Sequence, residues 1–328
     1  MTEVKKILIR LPNWLGDMVM ATPFIIAVQQ QYPTARIDCI VKKGLETLLN
    51  FFPHIGQQYI FDKAKYKGFL GAYQYGLTIK KNCHYDIFFC LPNSLSAAAM
   101  AKSIAAHKSI GYKKGIHQYL FTHTYLRKLH VHRVVENINL LEQYLQKEII
   151  VPAVFLHKPN TLINDSIIIN INSEAQSRRL PIAKAVAIIN SIQSHTSHTI
   201  ILIGSKHDAV QVGEVFEQLP YKKNIVNLAG CTTLTELIPL LASCKIMLST
   251  DSGPAHVSNA LGIKTLVLFG AGNEHNTAPY NNAYCKVIRL AALPCEPCVK
   301  NQCKLYDEPE CLKLLDEAII TTTLLSMI

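Results

Sequence analysis

Three turns in this chain carry residue types suited to chemistry on phosphates and sugar hydroxyls. In Lys6–Pro23, KILIRLPNWLGDMVMATP, a β-branched and aliphatic run over Ile7–Leu11 is followed by Pro12, Asn13 and Gly16, and helical spacing begins at Asp17. This reads as strand, tight loop, helix. In an open α/β sheet such a turn lies at the carboxyl end of a strand, where ligands bind, so the Asp17 carboxylate is placed at a helix start facing that crevice. The competing account makes Asp17 an N-cap. Ile246–Gly262, IMLSTDSGPAHVSNALG, repeats the arrangement: the strand ends at Ser249, the polar residues Thr250, Asp251 and Ser252 fill the turn, and Gly253 with Pro254 opens a helix. Free backbone N–H groups at that helix start suit a phosphate, and Asp251 beside them suits sugar hydroxyls. Capping by Asp251 or Ser252 is again the alternative, and His256, one turn in, reads either as a ligand or as a packed histidine. The third turn is Asn172–Pro181, NSEAQSRRLP, where Arg178 and Arg179 precede a helix and could reach a pyrophosphate bidentately, or simply lie at the surface.

The elements that must position these turns alternate. Strands are expected at Arg36–Val41, Gln58–Phe61, Asp86–Leu91 and Lys108–Tyr112, with helices between them, including the small apolar segment Ser94–Ala106. The basic and aromatic stretch from Gly111 to Arg133 has no clean period and reads as a loop region facing an anionic ligand, or as an irregular surface excursion. A helix from Glu136 to Gln146 closes the first domain. Ile149–Asp165, with two prolines and no period, is the candidate linker. A second series begins with the continuous apolar strand at Ser166 and continues through Thr199–Gly204, Ile225–Leu228, Ile246–Ser249 and Thr265–Phe269. The expected architecture is α/β, with two Rossmann-like doubly wound domains, 1–155 and 156–328, facing across a ligand cleft.

Composition narrows the class. The 328 residues suffice for two cores, and the net charge of +10 invites nucleic acid, a phosphorylated small molecule or an anionic lipid equally. The basic residues are scattered or paired, as in Lys113-Lys114. The opening apolar stretch is broken by Arg10, Pro12 and Asp17 and does not read as a signal peptide, and no apolar run approaches the ~18 residues of a bilayer span. A cytoplasmic protein, peripheral to a membrane, is expected. No nucleic-acid-binding motif is evident. A nicotinamide-dependent dehydrogenase would share the α/β pattern, and Gly270-Ala-Gly272 follows a strand, but the third glycine of the dinucleotide fingerprint is missing.

Taken together, RLPNWLGDMVMATP, the SRRLP turn and STDSGPAHVSNALG resemble the bacterial lipopolysaccharide heptosyltransferases of glycosyltransferase family 9, most closely the heptosyltransferase II branch, over nearly the whole chain. The resemblance implies a GT-B fold and an inverting, metal-independent transfer of L-glycero-D-manno-heptose from ADP-heptose to heptosyl-Kdo2-lipid A at the cytoplasmic face of the inner membrane. A relative using another nucleotide sugar, or Kdo2-lipid A as acceptor, is the nearby alternative. The resemblance makes Asp17 the general base and places Arg178 where relatives commonly have a phosphate-contacting Lys. It makes Asp251 the donor-sugar ligand and assigns Ser252 and Gly253 to the phosphates, with Arg179 and His256 counted beside them. Thr235 falls near the position of a ribose-binding Glu, with Glu236 adjacent. Pro254 and Leu180 stand where relatives often have an aliphatic residue and Trp. Asn13, Lys113, Lys114 and Arg127 are assigned to the acceptor's phosphates or carboxylates. No cofactor is expected, and the chain has no D-x-D pair of the kind a metal-dependent glycosyltransferase usually shows.

The cluster Cys295-x2-Cys298-x4-Cys303-x7-Cys311 has two readings, a structural zinc site or reduced loop cysteines. The last stretch, Pro309–Ile328, reads as an amphipathic helix, which the resemblance to GT-B proteins implies packs back across the domain junction onto the first domain.

Overall fold

The structure, a computed structural model, describes residues 3–53 and 55–328. It contains two compact units, 1–157 and 158–328. The first holds β1 (Lys6–Arg10), β2 (Arg36–Lys42), β3 (Gln58–Phe61), β4 (Ile87–Cys90), β5 (Lys108–Tyr112) and β6 (His123–Tyr125), in the order β3-β2-β1-β4-β5-β6. The second holds β7 (Ser166–Asn170), β8 (Thr199–Leu202), β9 (Ile225–Asn227), β10 (Ile246–Thr250), β11 (Lys264–Phe269) and β12 (Cys285–Arg289), in the order β12-β11-β10-β7-β8-β9. Every neighbouring pair is parallel. Read from opposite edges, the two orders are the same doubly wound sequence. The chain reverses direction between β1 and β4 in one sheet and between β7 and β10 in the other. A doubly wound sheet binds ligands beyond the carboxyl ends of the strands at such a switch point.

The sequence dictates this locally. Strands covered on both faces need continuous apolar runs, and β7, SIIIN, is buried at all five positions. Helix crossovers need small residues where they approach one another. Gly76 in the helix Gly68–Asn82 meets the helix Leu95–Ile104 so closely that a Cβ there would overlap Ser103 Oγ. The core of the second unit gathers Ile167, Ile169, Ile189, Leu248 and Leu268 from the sheet and its helices.

Four expectations change. The opening helix is two, Leu15–Val19 and Thr22–Gln31, with Pro23 near the start of the second. The segment after β5 is not all loop: a 3₁₀ turn over Gly115–Leu120 leads into β6, an edge strand too short and too polar to show a period. β12 is likewise an edge strand that the pattern does not reveal. The C-terminal helix is broken into Glu310–Lys313 and Glu317–Ser326, and the buried residues Ile320 and Leu324 join the core of the second unit, where Ser191 and Thr321 hydroxyls also meet at 2.8 Å.

Candidate active site

At the switch point of the first unit the loop after β1 is shaped by a residue that the sequence marks only as a break in the apolar run. Arg10 is fully buried; its Nη1 donates to the carbonyls of Leu11 (2.6 Å) and Ile40 (3.2 Å), and its Nη2 donates to Asn13 Oδ1 (2.5 Å). Burial pushes its pKa down to about 10. The Phe61 ring lies 5.6 Å from the guanidinium carbon. Asn13, expected at the acceptor, thus has its carbonyl oxygen engaged in holding the loop.

The helix Leu15–Val19 is capped by Trp14, whose side chain makes no capping bond, and Asp17 lies in its first turn. Asp17 is thus a first-turn residue and not the N-cap itself. Arg133, at the head of the helix Arg133–Leu145, brings Nε to 3.6 Å from Asp17 Oδ1. Glu136, buried one turn further on, organises this cation: it accepts from Arg133 Nη1 at 2.8 Å and from Arg127 Nε and Nη2 at 2.5 and 3.0 Å. That bidentate bond raises the Arg127 pKa above its ordinary value. Arg127 is therefore tied to Glu136, while Lys113 and Lys114, just beyond β5, are exposed.

The switch point of the second unit is a network of amides, hydroxyls and charges. Asn170 Nδ2, at the end of β7, donates to Ser249 Oγ (3.2 Å), Ser252 Oγ (2.8 Å) and the carbonyl of Asn172 (2.9 Å). Thr250 Oγ1 donates to the same Asn172 carbonyl at 2.6 Å, and Ser173 Oγ to the Asp251 carbonyl at 2.8 Å. These bonds lock the turn before the helix Gly253–Ala260. Ser252 is its N-cap and makes no side-chain capping bond, and this helix start is the positive end of the helix dipole. Asp251 is buried and paired with Arg178 Nη1 at 3.1 Å. Gly272 crowds this pair, since a Cβ on it would overlap Asp251 Oδ2. Arg289 fixes the loop by donating to the Gly272 carbonyl and pairing with Glu274 at 2.7 Å. His256 is buried one turn into the helix.

The two arginines part company here. Arg178 faces Asp251, but Arg179 donates from Nε to the Ser173 carbonyl at 2.7 Å and pairs with Asp208 at 3.4 Å, so it supports the turn. Asp208, the N-cap of the helix Ala209–Gln218, makes no side-chain capping bond and accepts from Ser205 N and Oγ. Thr235 is exposed, and its neighbour Glu236 closes a capping box with Thr233, whose N and Oγ1 both donate to Glu236 Oε2 at 2.8 Å. Those bonds hold the Glu236 pKa below the usual carboxylate value.

Cys295, Cys298, Cys303 and Cys311 line one small cavity with Tyr306 and Glu310. All ten cysteines are free thiols, and among the described residues no three His, Cys, Asp or Glu side chains are arranged to hold a metal ion. Cys311 is committed to packing: it lies against Gly270, and burial pushes its thiol up to about 12. The cysteine loop instead braces the site, because Ser177 N donates to the Asn301 carbonyl (3.1 Å), Ser177 Oγ to the Lys300 carbonyl (2.5 Å), and Val299 N to the Ala271 carbonyl (2.8 Å). Gly270 and Gly272 thus serve close packing, which removes the motive for a dinucleotide reading.

Sequence reasoning missed Arg10, Arg133, Glu136, Asn170 and Arg289. The available signals were a charge inside an apolar strand, an Arg and Glu three apart at a helix head, and an amide ending a continuous apolar run.

Comparison with known proteins agrees with this arrangement. The sequence profile of glycosyltransferase family 9 (heptosyltransferase) matches residues 79–307. Lipooligosaccharide heptosyltransferase 2 of Campylobacter jejuni is 26% identical over 314 residues, covering 94% of each chain. The solved structure of E. coli ADP-heptose LPS heptosyltransferase II superposes with a TM-score of 0.80 at 20% identity over 98% of both chains. That of E. coli heptosyltransferase WaaC with ADP-2-deoxy-2-fluoro heptose gives 0.76 at 15% identity, over 98% of this chain and 100% of the other. The chain belongs to glycosyltransferase family 9, the heptosyltransferases.

Proposed function

We propose that the chain transfers L-glycero-D-manno-heptose from ADP-heptose to heptosyl-Kdo2-lipid A, with inversion and without a metal. The observation that carries this reading is the second unit's switch point. There a buried aspartate, an arginine and an open helix N-terminus lie within one hydrogen-bonded turn, the set that a sugar linked to a diphosphate requires. Asp251 accepts from donor-sugar hydroxyls, and Arg178 with the N–H groups at Gly253 takes the diphosphate. Arg178 Nε, buried with no hydrogen-bond acceptor, adds a donor ready for a phosphate oxygen. The relatives' names support the donor and the lipid-linked acceptor, and WaaC was solved with an ADP-heptose analogue.

In the transfer, the acceptor hydroxyl oxygen bonds to the anomeric carbon as the bond from that carbon to the ADP oxygen breaks. ADP leaves with the electron pair, and the hydroxyl proton passes to Asp17. A hydroxyl has a pKa far above 7, so a positioned carboxylate contributes roughly 10² to 10⁴ in rate. Charge gathering on ADP is met by Arg178 and the helix start. Lys113 and Lys114 are assigned to acceptor phosphates or carboxylates, and peripheral contact with the inner membrane presents that acceptor. No helix among the described residues is long and apolar enough to cross a membrane.

Mass spectrometry of heptosyl-Kdo2-lipid A after incubation with ADP-heptose, enzyme and a chelator tests the reading. A gain of one heptose with wild type, lowered 10² to 10⁴ in rate by Asp17→Asn, is expected. No gain by folded enzyme, or an undiminished gain with Asp17→Asn, would sink the acceptor or the base respectively.

A further inference from the structure

The first unit carries a charge asymmetry that extends beyond the residues given to the reaction. Between Asp86 and Glu136 the chain has no aspartate or glutamate but seven Lys or Arg and five His. Within that stretch the segment after β5 exposes large apolar side chains: Ile116 is 80% exposed, Tyr119 78%, Leu126 69% and Leu129 64%. Basic residues interleave with them, Lys113, Lys114 and Lys128 being exposed. Large apolar side chains clustered at a soluble surface mark an interaction site, and apolar groups mixed with lysines and free of acids match the interface of an anionic bilayer.

The topology gathers the segment at one edge. Lys113 N donates to the Tyr125 carbonyl at 2.8 Å, so Lys113 and Leu126 follow the adjacent parallel strands β5 and β6 at the same carboxyl edge. His117 Nε2 lies 3.4 Å from Asn93 Oδ1, just beyond β4, which holds the turn bearing Ile116 and Tyr119 at that edge too. The loop carrying Lys128 and Leu129 then runs to the helix whose Arg133 faces Asp17.

We infer that residues 113–130 form a docking face for an anionic membrane surface. Ile116, Tyr119 and Leu129 enter the headgroup boundary, Lys128 and its basic neighbours hold the lipid charge, and the lipid-linked acceptor is delivered beside Asp17. The inference rests on the lipid-linked acceptor proposed above and names the surface that meets the lipid.

Co-sedimentation of the full chain with vesicles of phosphatidylglycerol and phosphatidylcholine, against phosphatidylcholine alone, tests it. The wild type is expected to bind the anionic vesicles and to be released by 0.5 M salt. Ile116→Ser/Tyr119→Ser/Leu129→Ser should lower partitioning at least tenfold, and Lys128→Glu about fivefold or more, the effect of one basic residue at a charged surface. Transfer to a de-acylated, water-soluble acceptor, measured alongside, should be unchanged in both variants and reports that they are folded. Wild type that ignores anionic vesicles, or variants that bind them as well as wild type, overturns the docking face. If the wild type binds vesicles but transfers nothing to either acceptor, the reading of the reaction fails while the face stands.

Discussion

At the scale of single residues, the site is built from charges held by other charges. Asp17 faces Arg133, which is fixed by buried Glu136. Arg133 Nε is buried and makes no hydrogen bond at the 3.6 Å that separates it from the carboxylate, a contact of the kind that tightens when substrate arrives. Arg133→Gln should therefore lower kcat by on the order of tenfold with the donor KM unchanged, and Arg133→Lys should recover part of the loss. A rise in donor KM with kcat intact would show that Arg133 does not act through Asp17. In the second unit Gly272 is the sensitive position, because any Cβ there displaces Asp251 from Arg178. Gly272→Ala should raise the donor KM on the order of tenfold while leaving the acceptor KM and the circular dichroism spectrum as they were, since the strain falls on one carboxylate. An unchanged donor KM would remove Asp251 from the donor site.

At the scale of elements, capping decides how the site-bearing turns are held, and it was poorly legible. Ser252 and Asp208 are residues that cap helices well and stand at the N-cap, yet neither makes a side-chain capping bond; Ser252 is drawn to Ser249 and Asp208 to Ser205 in the preceding loop. Such competition also depends on contacts far away in sequence, Asn170 with Ser252 and Arg179 with Asp208, and a local pattern cannot register it. The parallel strands and the strand-end position of Asp17, Arg178 and Asp251 were readable because continuous apolar runs and glycine-proline turns are local. The edge strands β6 and β12 were not, being three and five residues with no buried core of their own. The capping that does form has a clear signature. The Thr233–Glu236 box opens the helix Leu234–Ser243, and Thr233→Ala should cost about 1 kcal/mol, a fall of about 2–4 °C in Tm. Glu236 has its folded pKa lowered by its bonds to Thr233, so its contribution is present above the ordinary carboxylate pKa and is lost as pH falls through the folded value. The Tm gap between wild type and Glu236→Gln should accordingly be seen at pH 7 and close on acidification. A gap that stays constant down to the lowest pH at which both proteins remain folded would mean that the carboxylate charge is not what closes the box.

At the scale of the molecule, the same strand order occurs twice with different furniture at the switch point. The first sheet ends in a carboxylate that faces Arg133, with exposed Lys113 and Lys114 beyond β5. The second ends in an open helix start with a paired aspartate, locked by asparagine and serine side chains. A diphosphate is best met by the second, where backbone donors, the helix dipole and Arg178 act together, whereas in the first unit Asp17 would repel it. ADP should therefore stabilise the second unit, by about 2.7 kcal/mol at a hundredfold excess over its Kd. Hydrogen exchange read by mass spectrometry locates the effect. Protection is expected to be largest over residues 170–179 and 249–260, and to shrink at fixed ADP in Arg178→Gln, because one charge-assisted contact to phosphate is gone. Protection largest over residues 11–19 would place the nucleotide in the first unit and reverse the roles given to Asp17 and Asp251. Protection spread evenly over both sheets would mean that the helix start at Gly253 is not the anchor for the diphosphate.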